Sequence, residues 1–199
     1  QRQMCIRDSR SGLGGLEWMD GIPGNVGGSL RMNAGAMGRD MIRNLVSVTC
    51  LDEDGEIRSH PSGDLNAQYR SIPDLAHNFV LQAVFEGSPC AREEIEEKLE
   101  DARAKRRLSQ PSGASAGCIF KNPEEIPAGK LIDELGLKNA CVGDACVSSV
   151  HANFIINRGH ARARDITILI DMIRKEAMEN RGIDLKSEAQ VIGDREPQF

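Results

Sequence analysis

Apolar residues change their rhythm near residue 90. Upstream, Leu45-Val46-Ser47-Val48-Thr49-Cys50 alternates toward Asp54-Gly55, a dipeptide suited to a hairpin turn. This predicts one strand over 45–50 and a second starting near Glu56. Phe79, Leu81, Ala83 and Phe85 recur at every second position, which predicts a strand over 78–86 with those four on its buried face. Downstream, Glu93 to Arg107 is charged and helical, with Ile95, Leu99 and Ala102 on a single stripe. Lys130 to Leu135 predicts a short helix stopped by Gly136, and Ala152 to Asn157 a buried strand. Asp165 to Asn180 predicts a helix, with Ile166, Leu169, Ile170, Ile173 and Ala177 at helical spacing and Gly182 as its C-cap. The pattern gives a strand-rich first part and an α+β or α/β second part, with a domain boundary near residue 90.

Glycine interrupts this periodicity most densely at Gly21-Ile22-Pro23-Gly24-Asn25-Val26-Gly27-Gly28-Ser29, followed by Met32-Asn33-Ala34-Gly35-Ala36. Nine of the 20 glycines fall between Gly12 and Gly38, a density that removes side chains where backbone turns sharply or lies against a ligand. Converging N–H groups in such a loop suit an anion or a cofactor. The loop is neither G-x-G-x-x-G nor G-x-x-x-x-G-K-[ST], and a turn that links packed elements would show the same spacing.

Composition narrows the classes. A chain of 199 residues, 40% hydrophobic and 28% charged, can bury one good core or two small ones. A net charge of −5 with 4% aromatics argues against a nucleic-acid surface. No apolar run has the length of a membrane span and no start resembles a secretion signal, so the cytoplasm is the expected compartment. Six scattered cysteines without a C-x-x-C pair predict mostly reduced thiols. Cys141, Cys146 and His151 are evenly spaced, but a five-residue step shares neither a helical face nor a strand face, so no metal site is expected. Gln1 to Ser9 shows no hydrophobic period and reads as sequence foreign to the fold, which implies that the protein continues upstream.

A second candidate site is basic. Arg103, Lys105, Arg106 and Arg107 precede Gln110-Pro111, whose proline ends the helix. A solvated helix end favoured by its dipole explains the cluster. A phosphate clamp explains it too, because Ser112-Gly113-Ala114-Ser115-Ala116-Gly117 follows, leading into Cys118-Ile119-Phe120-Lys121-Asn122-Pro123.

These segments occur together in an order that resembles the UDP-N-acetylenolpyruvoylglucosamine reductase (MurB) family. The resemblance rests on G-I-P-G-x-V-G-G with N-A-G-A, Tyr69-Arg70, S-A-G-C-I-F-K-N-P at 115–123, Ala128-Gly129-Lys130-Leu131-Ile132, and His151-Ala152-Asn153-Phe154-Ile155-Ile156-Asn157. It covers nearly everything from Gly12 to Gly193. The implied fold is α+β: the C-terminal part of an FAD-binding (PCMH-type) α+β domain over 11–90, then a smaller α/β substrate domain over 91–199. The implied activity is that of a cytoplasmic UDP-N-acetylmuramate dehydrogenase of peptidoglycan precursor synthesis. NADPH reduces bound FAD, and the flavin passes hydride to UDP-N-acetylglucosamine enolpyruvate. A monomer is expected, with no nucleic-acid or membrane partner and no metal.

Carried over by motif, the catalytic residues are Arg70, which stabilises charge developing beside the substrate carboxylate, Cys118, which donates the proton, and Glu188, which assists that transfer. The FAD loop is Gly21, Ile22, Pro23, Gly24, Gly27 and Gly28 with Asn33, Ala34 and Gly35. Tyr69, Arg106, Arg107, Lys121 and Asn122 are the expected substrate contacts.

The chain departs from the family pattern at several points. The proton donor is usually serine, whereas Cys118 carries a thiol of reference pKa roughly 8.5. Activity should therefore survive at neutral pH and be lost on thiol alkylation. Ser71 stands one residue early after the Tyr-Arg pair, and Glu188-Ala189-Gln190 lacks the family's arginine. The short spacing implies the smaller family type, without an extra tyrosine-bearing loop. The family's first flavin loop is expected upstream of Gly12. The alternatives are a non-catalytic UDP-sugar-binding fragment and another FAD-dependent oxidoreductase of the same superfamily.

Overall fold

The computed structural model describes residues 11–192. The reading of Gln1 to Ser9 as foreign sequence falls outside them. Packing divides the chain into two units that meet at the Arg106–Arg107 bond.

The first unit holds strands β1 (Leu13–Gly14), β2 (Gly35–Ala36), β3 (Arg39–Asp40), β4 (Leu45–Leu51), β5 (Ile57–Pro61), β6 (Phe79–Phe85) and β7 (Ser88–Pro89). Its helices are α1 (Val26–Arg31) and most of α2 (Arg92–Ser109). The largest sheet is antiparallel in the order β5-β4-β6, and β1–β7 and β2–β3 are two-stranded ribbons. The predicted hairpin forms because Asp52 Oδ1 accepts the Asp54 and Glu56 N–H groups while Gly55 takes φ +82°. Trp18, Met19, Leu30, Met41, Val48, Ile72 and Leu75 form the core, joined by Ile95 and Leu99. These two explain why the division falls later than the change of rhythm near 90: the apolar stripe of α2 packs into the first unit.

β6 has the predicted extent but not the predicted face. Phe79 and Leu81 are 70% and 55% exposed, while Val80, Ala83 and Phe85 pack on the core. The ladder pairs Thr49 with Gln82 and Cys50 with Val80, leaving Leu81 as an extra residue. Such a bulge inverts the alternation on one side of it, which a strict period of two does not anticipate.

The second unit contains β8 (Ala114–Cys118), α3 (Ala128–Glu134), β9 (Cys141–Val142), β10 (Ala145–Val147), β11 (Phe154–Asn157) and α4 (Ala163–Arg181). Helix and strand are mixed as expected, but the sheet is antiparallel throughout, in the order β8-β11-β10-β9. α4 buries Leu169, Ile170, Ile173 and Ala177, the predicted stripe. Asp165 Oδ2 accepts the Arg162 N–H at its start, and Gly182 ends it at φ +66°. With Ile119, Phe120, Leu131, Ile132, Val147 and Leu185 these residues form one core.

The cysteine expectation needs one correction. Cys50, Cys90 and Cys118 are thiols, but Cys141 and Cys146 form a disulfide. A five-residue step shares no face within one element. Across the tight turn at Gly143 (φ +55°), however, it sets the two residues opposite each other on β9 and β10.

Candidate functional site

In the first unit the predicted loop residues form a surface of exposed backbone. Gly21 and Gly24 adopt φ +82° and +96°, which favours glycine, and Pro23 and Gly24 lie exposed between them and α1. Asn25 caps α1, its Oδ1 accepting the Gly28 N–H at 2.8 Å. Gly27 lets the helix approach β6: a Cβ there would stand 3.3 Å from Val80 Cβ. The next motif folds back beneath. Asn33, 2% exposed, accepts the Ile42 N–H and donates to the Gln68 carbonyl at 3.0 Å.

That last bond ties the loop to the Tyr69-Arg70 turn, which Gln68 and Ser71 close with a pair of backbone hydrogen bonds. Arg70 occupies φ +57°, a left-handed conformation that costs a non-glycine residue roughly 1 kcal/mol or more. Its guanidinium lies 5.0 Å from the Tyr69 ring centroid. It also rests on Gly35, where a Cβ would come within 3.0 Å of Nη1 and 2.7 Å of the Arg39 carbonyl oxygen. Two motifs 35 residues apart in sequence, joined by the Asn33–Gln68 bond, thus share one place.

Arg106 belongs to this unit. Its Nη2 donates to the Trp18 carbonyl at 3.3 Å, and a Cβ on Gly21 would stand 3.0 Å from its Cδ. Burial lowers its pKa, with Asp20 opposing. Its Nε is buried and makes no hydrogen bond among the described residues. The neighbouring Arg103 Nε donates to the buried Asp20 carboxylate at 2.7 Å, fixing α2 beside the loop. Of the predicted substrate contacts, Arg106 therefore lies against the glycine loop, while Arg107 begins the other unit.

The second unit carries a pocket of about 330 Å³ whose lining includes Cys118, Asn122, Gly129, Lys130, Lys138 and His151. Cys118 ends β8, opposite Phe154 on β11. The backbone after it is fixed by the buried Asn153, whose amide accepts the Phe120 N–H at 2.9 Å and donates to the Phe120 carbonyl at 2.8 Å. On the other side, the Glu188 N–H donates to the Ile119 carbonyl at 2.7 Å. Cys118 and Glu188 are thereby anchored to the same short segment. Asn122 Oδ1 accepts the Ala128 N–H at the start of α3. Lys121 does not line the pocket; its backbone N–H donates to the Lys186 carbonyl.

The pocket also gathers Lys130 and His151, which stand in the family motifs without a role, and Lys138, which no motif contains. The imidazole lies across Gly129, where a Cβ would meet Cε1 at 2.7 Å, and edge-on to Phe154 with centroids 5.0 Å apart. Ser148 Oγ accepts the His151 N–H, and Nδ1 accepts the Asn153 N–H at 3.2 Å, so the neutral ring carries its proton on Nε2. Burial pushes the His151 pKa down, and Lys138 adds to the effect. Lys138 bonds Asp133 at 2.6 Å, and Lys130 lies 3.8 Å from Glu134. Two ammonium groups, one of them bonded to the Asp133 carboxylate in the same lining, make with an amide and a neutral imidazole a polar pocket suited to anionic and hydroxyl oxygens. Among the described residues no cluster of three or more His, Cys, Asp or Glu could hold a metal ion, and no helix is long and apolar enough to cross a membrane.

The domain family described as UDP-N-acetylenolpyruvoylglucosamine reductase, C-terminal domain, matches residues 109–192. The reductase of that name from Syntrophus aciditrophicus (strain SB) is 41% identical over 193 residues, covering 96% of this chain and 61% of the relative. That from Protochlamydia amoebophila (strain UWE25) is 42% identical over 186 residues, covering 92% and 62%. The crystal structure of UDP-N-acetylenolpyruvylglucosamine reductase (MurB) from Thermus caldophilus superposes with a TM-score of 0.82 at 36% identity, covering 94% of this chain and 68% of that one. The chain spans about three fifths of the length of the curated relatives it matches. On these grounds the chain belongs to the UDP-N-acetylenolpyruvoylglucosamine reductase family.

Proposed function

We propose that this chain forms part of an enzyme that reduces UDP-N-acetylglucosamine enolpyruvate to UDP-N-acetylmuramate for peptidoglycan synthesis, a monomer working in the cytoplasm with FAD as cofactor and NADPH as reductant. The single observation that carries the reading is the pocket of the second unit, where Cys118 shares a wall with Lys130, Lys138 and Asn122. The first unit is read as part of an FAD-binding domain of the PCMH type and the second as the domain that takes the substrate. The residues of the first unit fit a flavin dinucleotide. The loop offers exposed backbone at left-handed glycines, and the buried Arg106 Nε–H beside Gly21 lacks an acceptor that an anionic or hydroxyl oxygen would provide. Gly21 to Gly28, with Asn33 to Gly35 and Arg106, would hold it. When bound, the flavin takes hydride from NADPH and supplies it to the enolpyruvyl double bond.

The protein's task is charge and proton management. Hydride addition to the terminal carbon leaves negative charge on the carbon beside the carboxylate. Arg70, held over Gly35, stabilises that charge. The Cys118 thiol gives its proton to that carbon, and Glu188, whose backbone N–H is bonded to the Ile119 carbonyl, assists the transfer with its carboxyl. Lys130, Lys138 and Asn122 take the anionic and polar groups of the UDP-sugar, and the His151 Nε2–H is a further donor in the same pocket.

Anaerobic spectroscopy tests this. FAD is supplied to the purified chain, NADPH bleaches its absorbance, and UDP-N-acetylglucosamine enolpyruvate then restores it. A flavin that binds and bleaches but is not reoxidised by that substrate contradicts the proposal.

A further inference from the structure

The cysteine pair lies outside the machinery described above. Cys141 and Cys146 occupy directly opposed positions on β9 and β10, with Cα atoms 4.1 Å apart. β9 is a two-residue strand at the sheet's edge. β10 is held independently by three residue pairs to β11 and by Ala145 and Val147, both 0% exposed. Opening the bond therefore removes the edge's covalent tie, leaving it held by its ladder to β10 and by the core contacts of Ala140 and Val142. The two sulfurs are also unequal, because Cys141 is exposed whereas Cys146 is 3% exposed. This gives one residue for an external thiol to attack and one protected residue to resolve the product. In a reducing compartment such bonds are characteristically transient and redox-sensing. The pair adjoins the pocket: Asn139 and Ala140 continue its ladder onto Val147, and the preceding residue, Lys138, lines the pocket.

We propose that Cys141 and Cys146 are a reversible dithiol–disulfide modification site whose oxidation fixes the edge segment from Lys138 to Val142. The oxidant is a low-molecular-weight disulfide. The Cys141 thiolate attacks one of its sulfurs and expels a thiolate, leaving a mixed disulfide. The Cys146 thiolate then attacks Cys141 Sγ and expels the second thiolate. The two protons lost by the cysteines end on the two released thiols, so the pair is oxidised as the external disulfide is reduced. Cys50 and Cys90 form no disulfide and so lack a resolving partner. The proposal rests on the cytoplasmic placement proposed above and not on the reductase activity.

Its test is a redox titration of the full chain. The protein is equilibrated across a series of reduced-to-oxidised glutathione ratios, quenched under denaturing conditions with iodoacetamide and read by peptide mass spectrometry. Alkylation of Cys141 and Cys146 should fall together and return together with dithiothreitol, while Cys50 and Cys90 remain alkylated. In Cys146→Ser, Cys141 should instead accumulate as a glutathione adduct. Amide hydrogen exchange over residues 138–142 should be several-fold faster in the reduced protein. A pair whose alkylation never changes, or is not recovered by dithiothreitol, overturns the proposal. So does glutathione remaining on Cys141 of the unsubstituted chain at equilibrium, or equal exchange in the two states.

Discussion

The two units build their candidate sites from different materials. The first presents backbone: left-handed glycines, a capped six-residue helix, and an arginine held at positive φ above a residue that must lack a side chain. The second presents side chains on a regular sheet and two helices: a thiol, two ammonium groups, an amide and an imidazole. A backbone site tolerates many changes of side chain but resists an added Cβ. A side-chain site depends on the identity of each group and on the rigidity of the core behind it. Substitutions should therefore separate the units by mechanism as much as by size.

The largest loss of stability is expected in the second unit. Leu169 is 0% exposed at the centre of its core, so Leu169→Ala should destabilise by about 2–5 kcal/mol in chemical denaturation. A smaller loss would mean a core loose enough to collapse around the cavity. In the first unit, Gly35→Ala sets a Cβ 2.7 Å from a backbone oxygen, and backbone cannot rotate away as a side chain does. A cost of about 1–3 kcal/mol is expected, together with displacement of Arg70. Gly24→Ala separates conformation from crowding, because no atom lies within 4 Å of the added Cβ but φ is +96°. About 1 kcal/mol is expected there, from backbone strain alone. If the two glycine variants cost the same, close approach at Gly35 is not what distinguishes it.

Much of this architecture could be read from the sequence. The stripes Ile95-Leu99-Ala102 and Leu169-Ile170-Ile173-Ala177 lie where helical periodicity puts them, because each helix has one apolar face and one core to meet. The glycine motif was legible as a loop for the same local reason. What could not be read needed long-range pairing. The bulge at Leu81 depends on the register against β4, and the cysteine bridge depends on how tightly Gly143 turns the hairpin. Asn153 is the sharpest case: its amide pairs with both backbone groups of Phe120, and nothing in H-A-N-F indicates that segment as its partner. His151 lacked a role because its place over Gly129 joins two motifs that sequence keeps apart.

The smallest effect distinguishes the pocket by pH. The folded His151 pKa lies below the ordinary value of 6.5, so on acidification the unfolded chain takes up that proton first. Stability is complete above about pH 6.5 and declines as pH falls below it. Thermal melts across this window should show the slope, and His151→Gln should flatten it. Asp184 contributes separately at more acid pH, because the Lys186 ammonium holds its pKa below the ordinary carboxyl value. A slope below pH 6.5 that is unchanged in His151→Gln would place the titrating group elsewhere.

The central claim is that the pocket's thiol protonates the reduced substrate. It is tested most directly by comparing the chain with Cys118→Ser and Cys118→Ala in the anaerobic reoxidation of NADPH-reduced flavin by UDP-N-acetylglucosamine enolpyruvate. Reoxidation should persist with serine and fall by about 10²- to 10⁴-fold with alanine, while affinity for the substrate is retained. An alanine variant that turns over as fast as the unsubstituted chain would contradict the assignment of Cys118 as the proton donor.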